Sequence, residues 1–204
     1  MWNSECSVCI IFRVKVMSEP KMLAESILDT AIEIAQSSSW ESVKLYDIAE
    51  RLQISLDDIR QIYPQKDDLV EAWFDRADSA ALSGDVPADF AEQPARERLH
   101  RVMMNWFQSM QGYRSITREM LCYKFEFGHL HLQILSVLRI SRTVQWFREA
   151  ALLKSSNLKR IAEEVCISGI FVSAFMRWLI DRSENSVNTS RFLQSALRHV
   201  RSLD

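Results

Sequence analysis

The sequence predicts an all-α protein in two parts, a small helical head and a larger helical body. Three observations carry this. Only 4 Gly and 4 Pro interrupt 204 residues, too few for the many turns of a β protein. Apolar residues recur at helical spacing in the segments between breakers. Residues 45–69, LYDIAERLQISLDDIRQIYPQKDDL, read as two short helices joined by a tight turn and running into a third helix, a helix-turn-helix layout. Hydrophobic residues make up 48% of the chain, so a sizeable core can form. No run approaches the ~18 apolar residues that would suggest a membrane-spanning helix.

The elements follow in order. Residues 1–17 read as a tail ahead of the first helix, which opens cleanly after Met17. In that helix Ile27, Leu28, Ala31, Ile34 and Ala35 form one apolar face. Ser37-Ser38-Ser39 ends it, with Trp40 packed back over its end. A second helix covers about 44–52, with Leu45, Ile48, Ala49 and Leu52 inward. A third covers about 55–62, with Ser55 as N-cap and Asp57 and Asp58 in the first turn, where carboxylates favour the helix dipole. Pro64 breaks it, and a fourth helix runs from Lys66 to about Leu82. The breaker-rich loop Gly84 to Pro94 divides a head with its connecting helix, residues 18–82, from a body, residues 83–204. The body reads as helices over 95–111, 115–127, 130–153, 158–182 and 190–202. The helix over 158–182 is apolar on more than one face and is expected to be buried on two sides.

Charge is unevenly divided. Residues 18–80 carry 14 acidic and 6 basic side chains, a net −8, whereas residues 81–204 carry 12 acidic and 17 basic, a net +5. A DNA-reading domain normally shows the opposite balance, because phosphate neutralisation supplies most of its affinity.

With Asp47-Ile48-Ala49 in the second helix, Ile54-Ser55 opening the third, and Tyr63-Pro64-Gln65-Lys66-Asp67-Asp68-Leu69 where the third meets the fourth, the head resembles the TetR family of one-component transcriptional regulators. The resemblance covers about 50 residues. It implies a dimer that binds double-stranded operator DNA and a body that takes a small apolar effector. The family's structural residues are present, but its functional positions differ. Gln53 stands where the turn usually has Gly, so a non-glycine residue must accept the turn geometry. Val43 replaces a phosphate-touching Thr, Asp57-Asp58 replaces a small residue and a Thr, and Arg60 replaces a phosphate-binding Tyr. On this resemblance the DNA-contacting residues are Lys44, Tyr46, Ser55, Asp58, Arg60, Gln61, Gln65 and Lys66. Lys44 and Lys66 neutralise phosphates. Arg60 and Gln61 reach base edges, where Arg pairs with guanine and Gln with adenine. A bland reading makes them solvated residues of a stable head. Trp73-Phe74-Asp75-Arg76-Ala77-Asp78 is also similar to the TetR-like lipid-binding proteins of ubiquinone biosynthesis. That resemblance implies the alternative function, an isoprenoid-binding accessory protein that does not bind DNA.

In the body, Met103, Trp106, Phe107, Met110, Phe125, Trp146, Phe147, Phe171 and Phe175 are the candidate pocket residues, since aromatics and flexible Met suit an apolar ligand. A packed core requires the same residue types. Ile167, Ile170, Trp178, Phe192, Leu193 and Leu197, on the last two helices, are expected to form the interface of a homodimer. Arg139, Arg142 and Arg148 on the long helix suit a polar end of the pocket, an interface or surface ion pairs.

Cys6-x-x-Cys9 matches half a zinc site, but no second ligand pair accompanies it. Cys122 and Cys166 are expected to be buried small hydrophobes, in a reduced, cytoplasmic protein. His129 and His131 point about 200° apart on a helix and cannot share a metal there. With Glu126 they lie close enough in sequence for an acid–base group. No nucleophile motif, phosphate loop or metal signature is present, so neither an enzyme nor a cofactor is expected.

Overall fold

The computed structural model describes residues 19–84, 86–124, 130–200 and 203, and the side chains of all of these except 124 and 130–137. The tail with Cys6 and Cys9, together with Phe125, Glu126, His129 and the side chain of His131, therefore lies outside the described residues. Within them the elements are α1 Glu19–Ser37, α2 Leu45–Leu52, α3 Leu56–Ile62, α4 Lys66–Ser83, α5 Ala95–Ser109, α6 Arg114–Lys124, α7 Leu130–Ala150, α8 Asn157–Ile180 and α9 Val187–Leu197, joined in places by 3-10 turns. The described residues contain no strand.

The head is a three-helix bundle closed by α4. Ile27, Leu28 and Ala31 of α1, Ile48 of α2, Ile59 of α3 and Leu69 and Val70 of α4 are almost wholly buried. Trp40 and Val43, in the α1–α2 connection, seal the same core. Local chemistry sets the helix ends. Ser55 and Asp58 form a reciprocal capping box that starts α3. Gln53 ends α2 in the left-handed region at φ 54, ψ 40, its N–H donating back to Ala49 O and Glu50 O. A non-glycine residue does accept the turn there, against the usual preference for glycine at this geometry.

The core runs on from head to body without a break, because α4 is buried by α1 on one side and by α5 and α7 on the other. Four boundaries differ from the periodicity reading. The first is α5, which stops at Ser109, so that a 3-10 turn over Gln111–Tyr113 contains Gly112. Leu152 turns left-handed at φ 56 and ends α7 at Ala150, earlier than the apolar run suggests. The breaker-rich loop folds into a 3-10 turn at Phe90–Glu92, pinned by buried Phe90. Finally, α9 starts at Val187, after Asn185 and Ser186 both adopt left-handed geometry. Asp181 anchors that start by accepting from the N–H and hydroxyl of both Ser183 and Thr189. Burial raises the Asp181 pKa, but these hydrogen bonds outweigh it and hold the carboxyl well below the usual range.

Cys122 and Cys166 are corrected by the structure. Both are exposed free thiols, because each falls on the outward face of its helix.

Candidate nucleic-acid interface and body cavity

The outer face of α2 and α3 carries four of the eight DNA candidates as exposed surface groups. Lys44 is exposed immediately before α2, and Tyr46 is 60% exposed in its first turn. Arg60 and Gln61 are exposed on α3, and both are held by Asp57. Arg60 donates to Asp57 Oδ1 through Nε at 2.9 Å and Nη2 at 2.6 Å, and Gln61 Nε2 donates to Asp57 Oδ2 at 2.8 Å. The bonds from Arg60 and Gln61, then the Arg60 charge, lower the Asp57 pKa. An exposed pair of this kind is easily exchanged for a phosphate or a base edge.

Three other candidates have structural work, and Gln65 remains a surface group. Ser55 N–H and hydroxyl both donate to Asp58 Oδ2, and Asp58 N–H returns a bond to Ser55 Oγ. These two residues start the helix and do not stand free to read a base. Gln65 is exposed, with its N–H given to Asp68 Oδ2 at 2.8 Å. Lys66 turns inward. Its Nζ donates to Trp40 O at 2.7 Å and Glu41 O at 3.1 Å, and lies 5.3 Å and 5.1 Å from the Trp40 and Tyr123 ring centroids. Desolvation, then the Lys44 charge, lower its pKa. Lys66 thus ties the α1–α2 connection to α4 and is not placed to neutralise a phosphate. Glu119 of α6 completes that junction by accepting from Trp40 N–H at 2.7 Å.

Part of the head's acidic charge is engaged away from this face, while Glu50 and Asp57 remain exposed on α2 and α3. Arg76 binds Glu25 and Asp29 within the head. On the body side of α4, Glu71, Asp75 and Asp78 fall at i, i+4 and i+7, one face of the helix. Arg139 of α7 pairs with all three, at 3.3, 2.5 and 2.9 Å, and Arg142 adds a second bond to Asp75 at 3.0 Å. Three carboxylates of the head therefore meet two arginines of the body across α4 and α7. Asp78 is the buried member. It accepts from Trp106 Nε1 at 2.8 Å and from Thr143 Oγ1. Burial raises its pKa, against the opposing effect of Arg139 and these hydrogen bonds. The sequence signal for this latch was the acidic stripe on α4, which the reading of charge totals did not use.

Next to the latch is a cavity of about 140 Å³. Of the candidate pocket residues, Trp106, Phe171 and Phe175 line it. Phe74, Leu121, Ile140, Thr143 and Met176 do so as well, with Arg139 and Glu71 at its polar edge. The Trp106 ring lies parallel to Phe74 at 6.1 Å and meets Phe171 and Phe175 edge-on at 5.0 and 5.5 Å. Met103, Phe107, Met110 and Phe147 are corrected to core. They are essentially inaccessible and do not line the cavity. Trp146 is 49% exposed on the outer side of α7. Phe125 lies outside the described residues.

Four of the six dimer candidates are corrected too. Ile167, Trp178, Leu193 and Leu197 are sealed in the protomer's own core, and Ile170 and Phe192 are half-buried where α8 meets α9. A helix apolar on two sides does exist in α8, but its outward stripe is Leu158, Ile161, Val165, Met176 and Ile180, all exposed. The described residues contain no helix long and apolar enough to cross a membrane.

No family model matches the chain, and no curated protein does. Solved structures do. A TetR transcriptional regulator from Nitrosomonas europaea is 43% identical, covers 88% of this chain and 98% of its own, and superposes with a TM-score of 0.76. A TetR transcriptional regulator from Rhodococcus sp. RHA1 shares the fold alone, at 14% identity and a TM-score of 0.64 over 90% of this chain and 97% of its own.

Proposed function

The chain belongs to the TetR family of transcriptional regulators, and on that premise we propose that it binds operator DNA as a homodimer whose affinity is switched by a small apolar molecule in the body. The observation that carries this reading is the direction of the head's charge. Glu25, Asp29, Glu71, Asp75 and Asp78 are engaged by Arg76, Arg139 and Arg142. Asp58 and Asp68 are engaged in helix starts. Seven of the head's carboxylates are thus engaged, and at the face of α2 and α3 Lys44, Tyr46, Arg60 and Gln61 stand exposed beside Glu50 and Asp57. Arg60 and Gln61 serve as base-edge readers and Lys44 as a phosphate contact.

The exposed stripe of α8 supports the dimer. It spans a 24-residue helix, about 36 Å long, and a contiguous apolar face of that length calls for a partner. The cavity supports the switch. A ligand wedged among Trp106, Phe171 and Leu121 displaces α7 from α4, loosens Arg139 from its carboxylates and moves the head. The two heads must sit about 34–36 Å apart to enter successive major grooves, so a small rotation suffices to change affinity. The effector is small, since a cavity near 140 Å³ matches one that takes benzene.

A pair of variants tests the reading. Lys44→Ala is expected to weaken binding to every sequence and lower the salt slope by about 1. Lys66→Met is expected to leave the slope unchanged, because Lys66 faces inward. Equal loss of slope in both variants overturns this assignment.

A further inference from the structure

A second, larger opening of about 960 Å³ lies between α5 and α9, on helices that do not carry the DNA-facing residues. We propose that this cleft binds a small oxyanion ligand carrying two or more negative charges. The size is at the upper end of small-molecule pockets, but the lining is polar. Arg101 enters from α5, and Arg191 and Arg198, seven residues apart on one face of α9, enter from the other wall. None of these three arginines has a hydrogen bond or ion pair with the described residues, whereas the buried arginine of the body, Arg148, is paired with Glu163. Arg96 adds a fourth guanidinium to the lining, against two carboxylates, Asp89 and Glu97. Asp89 already accepts from Gln93 Nε2.

The histidine of the lining brings no charge of its own. His100 lies within hydrogen-bonding distance of Ser190 O and Oγ, and burial, the largest effect, lowers its pKa, so the ring is neutral near pH 7. Asn105, Gln108 and Gln194 supply neutral donors along the walls. A guanidinium fork matches the paired oxygens of phosphate or carboxylate, and several forks converging on one space select a multiply charged anion over chloride.

The rim is held in a costly conformation. Asn185 lines the cleft at φ 49, and Ser186 beside it has φ 56. Consecutive left-handed residues without glycine persist only where the surroundings hold them, and such strain gathers at binding sites. Here Arg114 donates to Ser186 Oγ and to Asp181 O.

The test is isothermal titration of the full chain with pyrophosphate and, separately, with citrate, at constant ionic strength set with chloride. The expected result is saturable binding of at least one, weakened about tenfold or more in Arg191→Gln/Arg198→Gln. Pyrophosphate without citrate assigns a phosphate ligand, and the reverse a carboxylate ligand. Arg101→Gln, checked for native circular dichroism, gives the same readout if the double variant does not fold. The proposal is overturned if neither anion binds saturably, or if the variants bind as wild type. It is also overturned if the substitutions change only affinity for duplex DNA, which would make these arginines a phosphate-backbone contact.

Discussion

Replacing Arg139 by Met removes the cation that joins α7 to three carboxylates of α4. Asp75 is 58% and Glu71 35% exposed at the side chain, so both can relax toward water, and their share of the loss is small. Asp78 cannot, being 10% exposed. Breaking a buried pair from one side costs about 3–5 kcal/mol. Asp78 keeps its bonds from Trp106 and Thr143, which places the expected loss nearer 2–3 kcal/mol. The loss also depends on pH. Burial already raises the folded-state pKa of Asp78, with Arg139 opposing, so removing Arg139 raises it further. A folded state that holds its proton more tightly than the unfolded state gains stability as pH falls. The deficit should therefore be full above the folded pKa of Asp78 and shrink as pH drops through it. Urea unfolding of Arg139→Met and wild type in a series from about pH 8 down to about pH 4 measures this. Asp78→Asn added to Arg139→Met should recover much of the loss at the higher pH, since Asn keeps an acceptor for Trp106. A deficit that stays the same across the whole series, or no recovery with Asn, would refute the latch.

Gln53→Gly should stabilise the protein. Relieving left-handed strain gains about 1–2 kcal/mol, less about 0.4–1 kcal/mol for the freer unfolded chain, so thermal unfolding should rise by about 2–4 °C; a fall would show that Gln53 is not strained. Asp57→Asn frees Arg60 and Gln61 and removes an acidic charge from the face, and should tighten operator binding; weaker binding in fluorescence anisotropy would mean that the Asp57 clamp orients the readers. Val165→Glu places a charge in the α8 stripe and should yield monomers in sedimentation, with an undisturbed dimer showing that the partner lies elsewhere.

The head was legible in residues with specific turn chemistry. Ser55 with Asp58, Pro64 and the Gln53 turn each announce a boundary, and each stands where the pattern put it. The body was legible as helices but not as faces. In α8 both sides are apolar, so periodicity cannot tell Ile167 and Trp178, which pack inward, from Ile161 and Val165, which face out. Pocket and core have the same composition, which is why Trp106 lines the cavity while Phe107, one position later, is core. The α4 stripe of Glu71, Asp75 and Asp78 carried a usable period, but its partner Arg139 lies 61 residues from Asp78, a separation that spacing alone cannot bridge. Lys66 illustrates the opposite error, in which a motif position suggests a phosphate contact and the fold turns the ammonium onto Trp40 O.

The central claim is that the head reads DNA despite its acidic total. Fluorescence anisotropy of the purified full chain with the DNA upstream of its own gene, across about 50–200 mM salt, tests it most directly. The account predicts sequence-selective binding over a scrambled duplex, with affinity falling steeply as salt rises. Absence of selective binding at the low end of that range would contradict it and leave the body cavity, not the head, as the working part of the protein.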